Sequence, residues 1–595
     1  MRTQAATAAR CALLGMCLCA ATVLSTPACA GTYALPTTFN LDKLGVDIAT
    51  LQYERHDTFL TMGDPADGGL AWTFVGHDGS DPYVGGIVYW VPPAAAGRQT
   101  QVKIGGQVVL FGGCESGACV NWSGTGATLV KSGSNWLYTA DDGSVYKFSV
   151  TGDFSSADQY TPEVGLGNLL SITRPSGAVI TINYTGNAIQ SVVSSRGYAL
   201  KYSGSIWSSG SVSLINLANH TCDATVTTCD SVDASVSFSY DGGSHIIDVT
   251  DPAGQQWQYD IEEIPAYFDP TNPTTWSVRD GLYHFKSPNG YTVDLTYDNA
   301  GRISTFVDNR GTWTFGYGSE TLYLAEHGSA SHTITVTDPT GATYYTAQVG
   351  GLTSPTGPWT TYTQDSLNNQ TQFGNDSHTF WSGTGYVGYN RLGSITQPEG
   401  NLRTWTRDAR GNVTAVTDTP KPGSGLTATS IAAVYPSTCT SPASCNKPTS
   451  ETDANGHTTN YTYNAAHGGL LSAMGPAPVA NGARPLKLIT WVQKTPYYRN
   501  PSGVLTASAT PIWVKSTETE CQTLAGTNPS PTCDASAPQT VTTYQYGADG
   551  TANSLWPHGV AVSSGGTTLR TCYTYDNLGN KVSETKPNAN LVTCP

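Results

Sequence analysis

The sequence predicts an all-β chain built from repeated hairpins, and three observations carry that expectation. Only 12% of the 595 residues are charged, while Gly numbers 64 and Tyr 32. Asp-x-x-Gly turns recur just after aromatic strand ends, as in Tyr297-Asp-Asn-Ala-Gly301 and Tyr575-Asp-Asn-Leu-Gly579. A second turn class, with Pro one residue after its start, alternates with the first.

Composition sets the class. Charged content is half the ~25% usual in soluble domains. Only 12 of the 44 acidic residues are Glu, so the exposed faces of helices are poorly supplied, whereas Thr, Tyr, Val and Trp favour strands. Aromatics at 10%, spread along the chain, bury more surface than a disordered sequence could. The 29 basic residues form no run and leave a net charge of -15, which argues against nucleic acid and against an anionic membrane surface as partners. By length alone the chain would hold about three to five domains, unless one repetitive architecture absorbs most of it.

Residues 1–30 read as a signal peptide. Arg2 and Arg10 precede an apolar stretch from Cys11 to Leu24, and small residues Ala28 and Ala30 place the cut between Ala30 and Gly31. That stretch is too short for a good membrane span. Acylation at Cys29 is the competing reading, although Thr26-Pro27-Ala28 is a poor lipobox. Removal of the leader takes four cysteines and leaves ten in neighbouring pairs: Cys114 with Cys119, Cys222 with Cys229, Cys439 with Cys445, Cys521 with Cys533, and Cys572 with Cys594. An oxidising compartment makes disulfides the default for such spacing, and no pair has the partner ligands a zinc site needs. The mature chain is expected outside the cell, at its surface or in the periplasm.

Residues 31–135 carry little repeat and read as a small β-rich module. From 136 to 595 the chain is organised by the hairpin unit. Leu295-Thr-Tyr-Asp-Asn-Ala-Gly-Arg-Ile303, Trp405-Thr-Arg-Asp-Ala-Arg-Gly-Asn-Val413 and Tyr573-Thr-Tyr-Asp-Asn-Leu-Gly-Asn-Lys581 share one grammar. A strand ends in Tyr-Asp or its variant, Asp binds the backbone inside the turn, and the Gly takes a φ other residues resist. The turn residues singled out are Tyr297, Asp298, Gly301 and Arg302; Asp408 and Gly411; and Tyr575, Asp576 and Gly579. Pro-containing turns such as Asp251-Pro-Ala-Gly254 and Ser287-Pro-Asn-Gly290 supply the other end of each hairpin. Tyr297 to Tyr317 spans 20 residues, two strands and two turns. A unit this small cannot bury its own apolar face, so units must pair edge to edge into one long sheet. The stretch from Lys421 to Lys447, rich in Pro, Gly and Ser, reads as an insertion between repeats.

The Tyr-Asp-x-x-Gly-Arg element of Tyr297 to Arg302, its echo at Tyr575 to Asn580 and the twenty-residue period resemble the RHS or YD-repeat proteins. The resemblance covers roughly Trp136 to the C-terminus. It implies a sheet of hairpins spiralling into a β-shell, which the 31–135 module would cap at one end, and a structural rather than a catalytic role: housing or presenting a toxin-type polypeptide. The C-terminal core and toxin of long family members are expected to have no counterpart in this sequence, which runs 16 residues past Gly579, and a truncated gene product is an equally good account of that. The expected shell is therefore partial, with a strand edge that would meet a partner chain: a second shell half, a cargo or an immunity-type protein.

Linear signatures of catalysis are absent. There is no Gly-x-Ser-x-Gly elbow, His-Glu-x-x-His, phosphate loop or calcium loop, and the chain is expected to be neither an enzyme nor a binder of metal or cofactor. Trp122-Ser-Gly-Thr-Gly126 and Trp381-Ser-Gly-Thr-Gly385 read as Gly-rich turns with an aromatic anchor, and Asp141-Asp142-Gly143 as a hairpin turn. His327 and His332 lack a third ligand. The alternative function is a carbohydrate-binding adhesin, in which some of the 14 Trp and 32 Tyr face outward and stack on surface glycans.

Overall fold

The computed structural model describes residues 42–48, 52–53, 55–75, 83–90, 99–105, 107–117, 119–152, 163–267, 277–299, 301–318, 331–350, 359–381, 386–526, 530–589 and 591–594. The leader 1–30 and its cut between Ala30 and Gly31 lie outside them. Apart from short 3₁₀ turns, every regular element described is a β-strand.

Hairpin joins to hairpin without interruption. Thirty-six strands, from Gly85–Trp90 to Lys581–Thr585, belong to one antiparallel sheet. From Thr128–Ser132 onward each strand pairs with the next in sequence, except that the small hairpin of Tyr497–Arg499 and Leu505–Ala507 stands aside and Pro485–Lys494 pairs directly with Ile512–Gln522. The ladder is open: among the described residues Lys581–Thr585 is in register with Thr567–Tyr575 alone. The strands within 85–121 join the same sheet, because Gly85–Trp90 pairs with the first half of Glu163–Thr173 while the second half continues the ladder. No helix among the described residues is long and apolar enough to cross a membrane.

The stretch 421–447 is not wholly outside the ladder, contrary to the expectation of an insertion. Its strand Thr429–Val434 pairs with Val413–Thr419 on one side and Ser450–Thr452 on the other. The alternation of Ile431 and Ala433 with their neighbours is only one strand long, and flanking Gly, Pro and Ser hide it.

Alternation decides which face is buried. In Thr292–Tyr297 the side chains of Val293 and Leu295 are buried and those of Asp294 and Thr296 exposed. Over the ladder up to residue 349 this apolar face is covered by the segment 42–75, which lays an aromatic side chain on strand after strand. Tyr53 meets Phe306 at 5.6 Å between ring centroids, Phe59 meets Trp257 at 5.4 Å, and Phe74 meets Tyr259 at 4.3 Å. Arg55 stacks 3.5 Å over Phe285. Polar ties fix the register of that segment: Tyr259 donates to Asp57 and Tyr345 to Asp42, each at 2.8 Å, the Ser194 hydroxyl donates to the Gly68 carbonyl at 2.6 Å, and the Arg196 guanidinium binds Asp67. Later strands are less covered; every residue of Thr540–Tyr546 is only half-buried.

Candidate functional site: the repeat turns and the seam between them

The Asp-x-x-Gly turn is a closed hydrogen-bonded ring. The Asp298 N–H donates to the Arg302 carbonyl at 2.8 Å, and the Gly301 N–H to the Asp298 carbonyl at 2.9 Å. The carboxylate then accepts the Arg302 N–H at 3.0 Å on one oxygen and Arg302 Nε at 2.7 Å on the other. Gly301 sits at φ +71°, where a side chain is strained. Asp408 and Asp576 build the same ring, with Asn412 and Asn580 amides at 2.9 Å in place of the arginine. The fifth position is thus part of the motif, since its side chain occupies the second carboxylate oxygen.

Two further turns of this kind escape the repeat grammar. Asp42 accepts the Leu44 and Val46 N–H groups at 2.7 and 2.9 Å, with Gly45 at φ +90°. The Asp-x-x-Gly spacing is present there, but no Tyr precedes it. Asp365 uses Asn368, at φ +64°, where the other turns use Gly, and its carboxylate accepts the Asn369 amide at 2.9 Å. That amide bond and the backbone N–H groups hold the Asp365 carboxyl below the usual range.

The tyrosine of the motif has a separate task. Behind most such turns the ladder carries a β-bulge, where one strand inserts an extra residue and the ladder slips. Such a slip lies between Asp260 and Ile261, opposite Leu282 and His284, and the Tyr297 hydroxyl donates to the Leu282 carbonyl at 2.6 Å. Tyr297 itself stands at the next slip, opposite Ile303, whose carbonyl accepts the Tyr317 hydroxyl. The same relay runs through the last repeats. Trp491 Nε1 donates to the Leu470 carbonyl at 3.0 Å, Tyr546 to Lys515 at 2.8 Å and Tyr575 to Pro557 at 2.7 Å, each acceptor at a bulge. Burial pushes the Tyr546 hydroxyl up to about 12, so it stays a donor across the physiological range. Arg407 fills this role at Asp408, with Nη2 2.7 Å from the Leu392 carbonyl, but its Nε and Nη1 find no hydrogen-bond partner.

Late turns dock on early turns. The Asn446 amide reaches the Asp141 carbonyl at 3.0 Å, and the Trp513 N–H reaches Ser176 at 2.8 Å. Trp556 Nε1 reaches the Tyr198 hydroxyl at 2.8 Å, and the Asn216 amide reaches Asn577 at 2.9 Å. Partners are 305 residues apart at the first of these contacts and 361 at the last, and the side hairpin docks out of that sequence, with the Arg499 N–H reaching the Leu217 carbonyl at 2.8 Å. Glycines leave room where the contact is closest. A Cβ on Gly411 would lie 2.5 Å from Arg391 Nη2 and 2.6 Å from the Gly124 carbonyl, and one on Gly143 would lie 2.5 Å from the Ala443 backbone.

The ten cysteine sulfurs meet in five local pairs, Cys114–Cys119, Cys222–Cys229, Cys439–Cys445, Cys521–Cys533 and Cys572–Cys594. Asn121 holds the Trp122–Gly126 turn through Thr125 Oγ1 at 2.9 Å and the Ala127 carbonyl at 2.8 Å, and the Trp122 ring occupies the space beside Gly112. Asp141 and Asp142 form the turn between Asn135–Thr139 and Val145–Ser149. His327 and the loop 382–385 lie outside the described residues.

No family model matches the chain, and no curated protein does. Among solved structures it is similar to the TcdB2-TccC3-Cdc42 complex, with 12% identity over 82% of this chain and 26% of that one, at a TM-score of 0.26. It is also similar to the TcdB2-TccC3-TEV form, with 13% identity over 81% and 26% of the chains, again at 0.26. A porin-like protein from Bacteroides uniformis aligns over 49% of this chain and 87% of that one, with 9% identity and a TM-score of 0.12. The chain spans about a quarter of the length of the TcdB2-TccC3 chains it matches.

Proposed function

We propose that this chain is an exported scaffold whose repeats form part of a shell that houses or presents another polypeptide. The observation that carries the reading is the seam: a single 36-strand ladder whose segments between residues 446 and 577 dock on segments between 141 and 217. A sheet bound to itself in this way forms a wall rather than a set of separate domains, and a wall suits enclosure. The YD-repeat resemblance points the same way, and five local disulfides suit an oxidising exterior. On this reading the protein is no catalyst, and its partner is a polypeptide. Native mass spectrometry of the protein purified from its source tests it. A stable complex with a second polypeptide is the expected result, and a lone chain in every preparation would count against it.

The carbohydrate reading has one specific observation behind it. Trp207, 38% exposed, meets Tyr240 edge to face at 5.6 Å and offers an indole to solvent. Binding on a glycan array that is lost in Trp207→Ala would favour that reading.

A further inference from the structure

A cavity of about 380 Å³ lies where three parts of the chain meet: the strand His56–Met62, the early ladder and the Asp576 turn. Its volume is in the range of small-molecule sites. Leu60 and Leu214 give it an apolar floor, and Phe59, Trp257 and Leu578 stand around it. The cavity depends on the seam, because Leu578 is held in place through Asn577, whose carbonyl accepts the Asn216 amide at 2.9 Å.

The polar groups of this wall are one-sided. Its charged members are Asp57 and Asp251, and no lysine, arginine or histidine lines it. Asp57 is neutralised by Arg55, whose Nε lies 2.6 Å away. Asp251 forms no ion pair among the described residues: Oδ1 accepts the Ala253 and Gln255 N–H groups at 2.9 Å, and Oδ2 accepts Trp257 Nε1 at 3.2 Å. Trp257 Nε1 is thereby occupied, and Asn580 Nδ2 donates to Asp576. What remains open is carboxylate acceptor capacity beside two aromatic rings.

We propose that this cavity binds a small organic ammonium ion with an apolar body. The ammonium would sit against Asp251 and the indole face, where a carboxylate and a π-system both favour a cation, and the body would fill the Phe59–Leu578 space. A neutral isostere lacks the first interaction, and an anion is repelled by the Asp251 carboxylate.

Isothermal titration of the full chain with benzylammonium chloride, benzyl alcohol and methyl β-D-glucopyranoside tests this. Saturable binding of benzylammonium at least tenfold tighter than benzyl alcohol is expected. Asp251→Asn should weaken it at least tenfold, while Asp453→Asn, the same change in a like turn away from the cavity, should leave it unaltered. Leu578→Trp, which fills the space, should abolish binding, with circular dichroism checking the fold of each variant. Equal binding of benzyl alcohol, binding of the glucoside alone, or no binding of benzylammonium would each overturn the proposal.

Discussion

The hydroxyl of Tyr297 donates to the carbonyl of Leu282, 15 residues back and one strand over, at the point where the ladder slips by a residue. A bulge leaves a carbonyl without its ladder partner, and a buried unpaired carbonyl is costly. The motif's tyrosine answers that cost one hairpin later.

Tyr297→Phe keeps the ring and removes the hydroxyl that makes that bond. We expect a loss of about 1 kcal/mol, the usual net value of one hydrogen bond, read as a lower urea midpoint with an unchanged slope. An equal midpoint would mean that water replaces the hydroxyl.

Arg407 stands where other repeats place Tyr or Trp. Burial lowers its pKa, the nearby Arg391 charge lowers it further, and Asp376 is 3.7 Å away. Arg407→Tyr should bind the Leu392 carbonyl without burying a charge, raising stability by about 1 kcal/mol. A drop in the thermal midpoint would show that the guanidinium is needed for packing.

Gly411 and Gly456 share a positive φ, +84° and +83°, but only Gly411 is crowded. Gly456→Ala should cost about 1 kcal/mol from backbone strain. Gly411→Ala adds a clash with Arg391 and the Gly124 carbonyl, so it should lower the thermal midpoint further and loosen the Gly124 turn to proteolysis.

Glu518 sets an acid limit. Burial opposes its ionisation, but hydrogen bonds and charge from Lys487 and Lys515 outweigh that and hold it at about 2, below the ordinary 4.5. A carboxyl with a lowered folded pKa stabilises fully above its unfolded value. This contribution is therefore complete above pH 4.5 and is lost as pH falls toward 2. Glu518→Gln should flatten that part of the stability-against-pH curve; a curve of unchanged shape would place the acid limit elsewhere.

The strand class and the Asp-x-x-Gly rings were legible in the residues, because turn chemistry is local: Asp298, Gly301 and Arg302 touch one another within five positions. The bulge bonds were less so. Tyr297 could be seen to recur, but its acceptor is a backbone atom, which leaves no trace in side-chain identity. The seam was hidden for a different reason. Asn216 and Asn577 look like ordinary polar residues in turns, and nothing near either specifies a partner 361 residues away. The cover formed by 42–75 is likewise a matter of three-dimensional packing, in which Phe59 and Phe74 are recognisable as apolar but not as the lining of a ladder that begins later in the chain.

The bond between Tyr198 and Trp556 also has a consequence in time. These partners are 358 residues apart, so at ribosomal speed about 20 to 70 seconds separate their emergence. Through that interval the early hairpins exist with their docking edge uncovered, in a chain rich in β-forming sequence. Their vulnerability to misassociation is greatest before the last fifth of the protein has been made, and a chaperone acting on the nascent or exporting chain would matter most then.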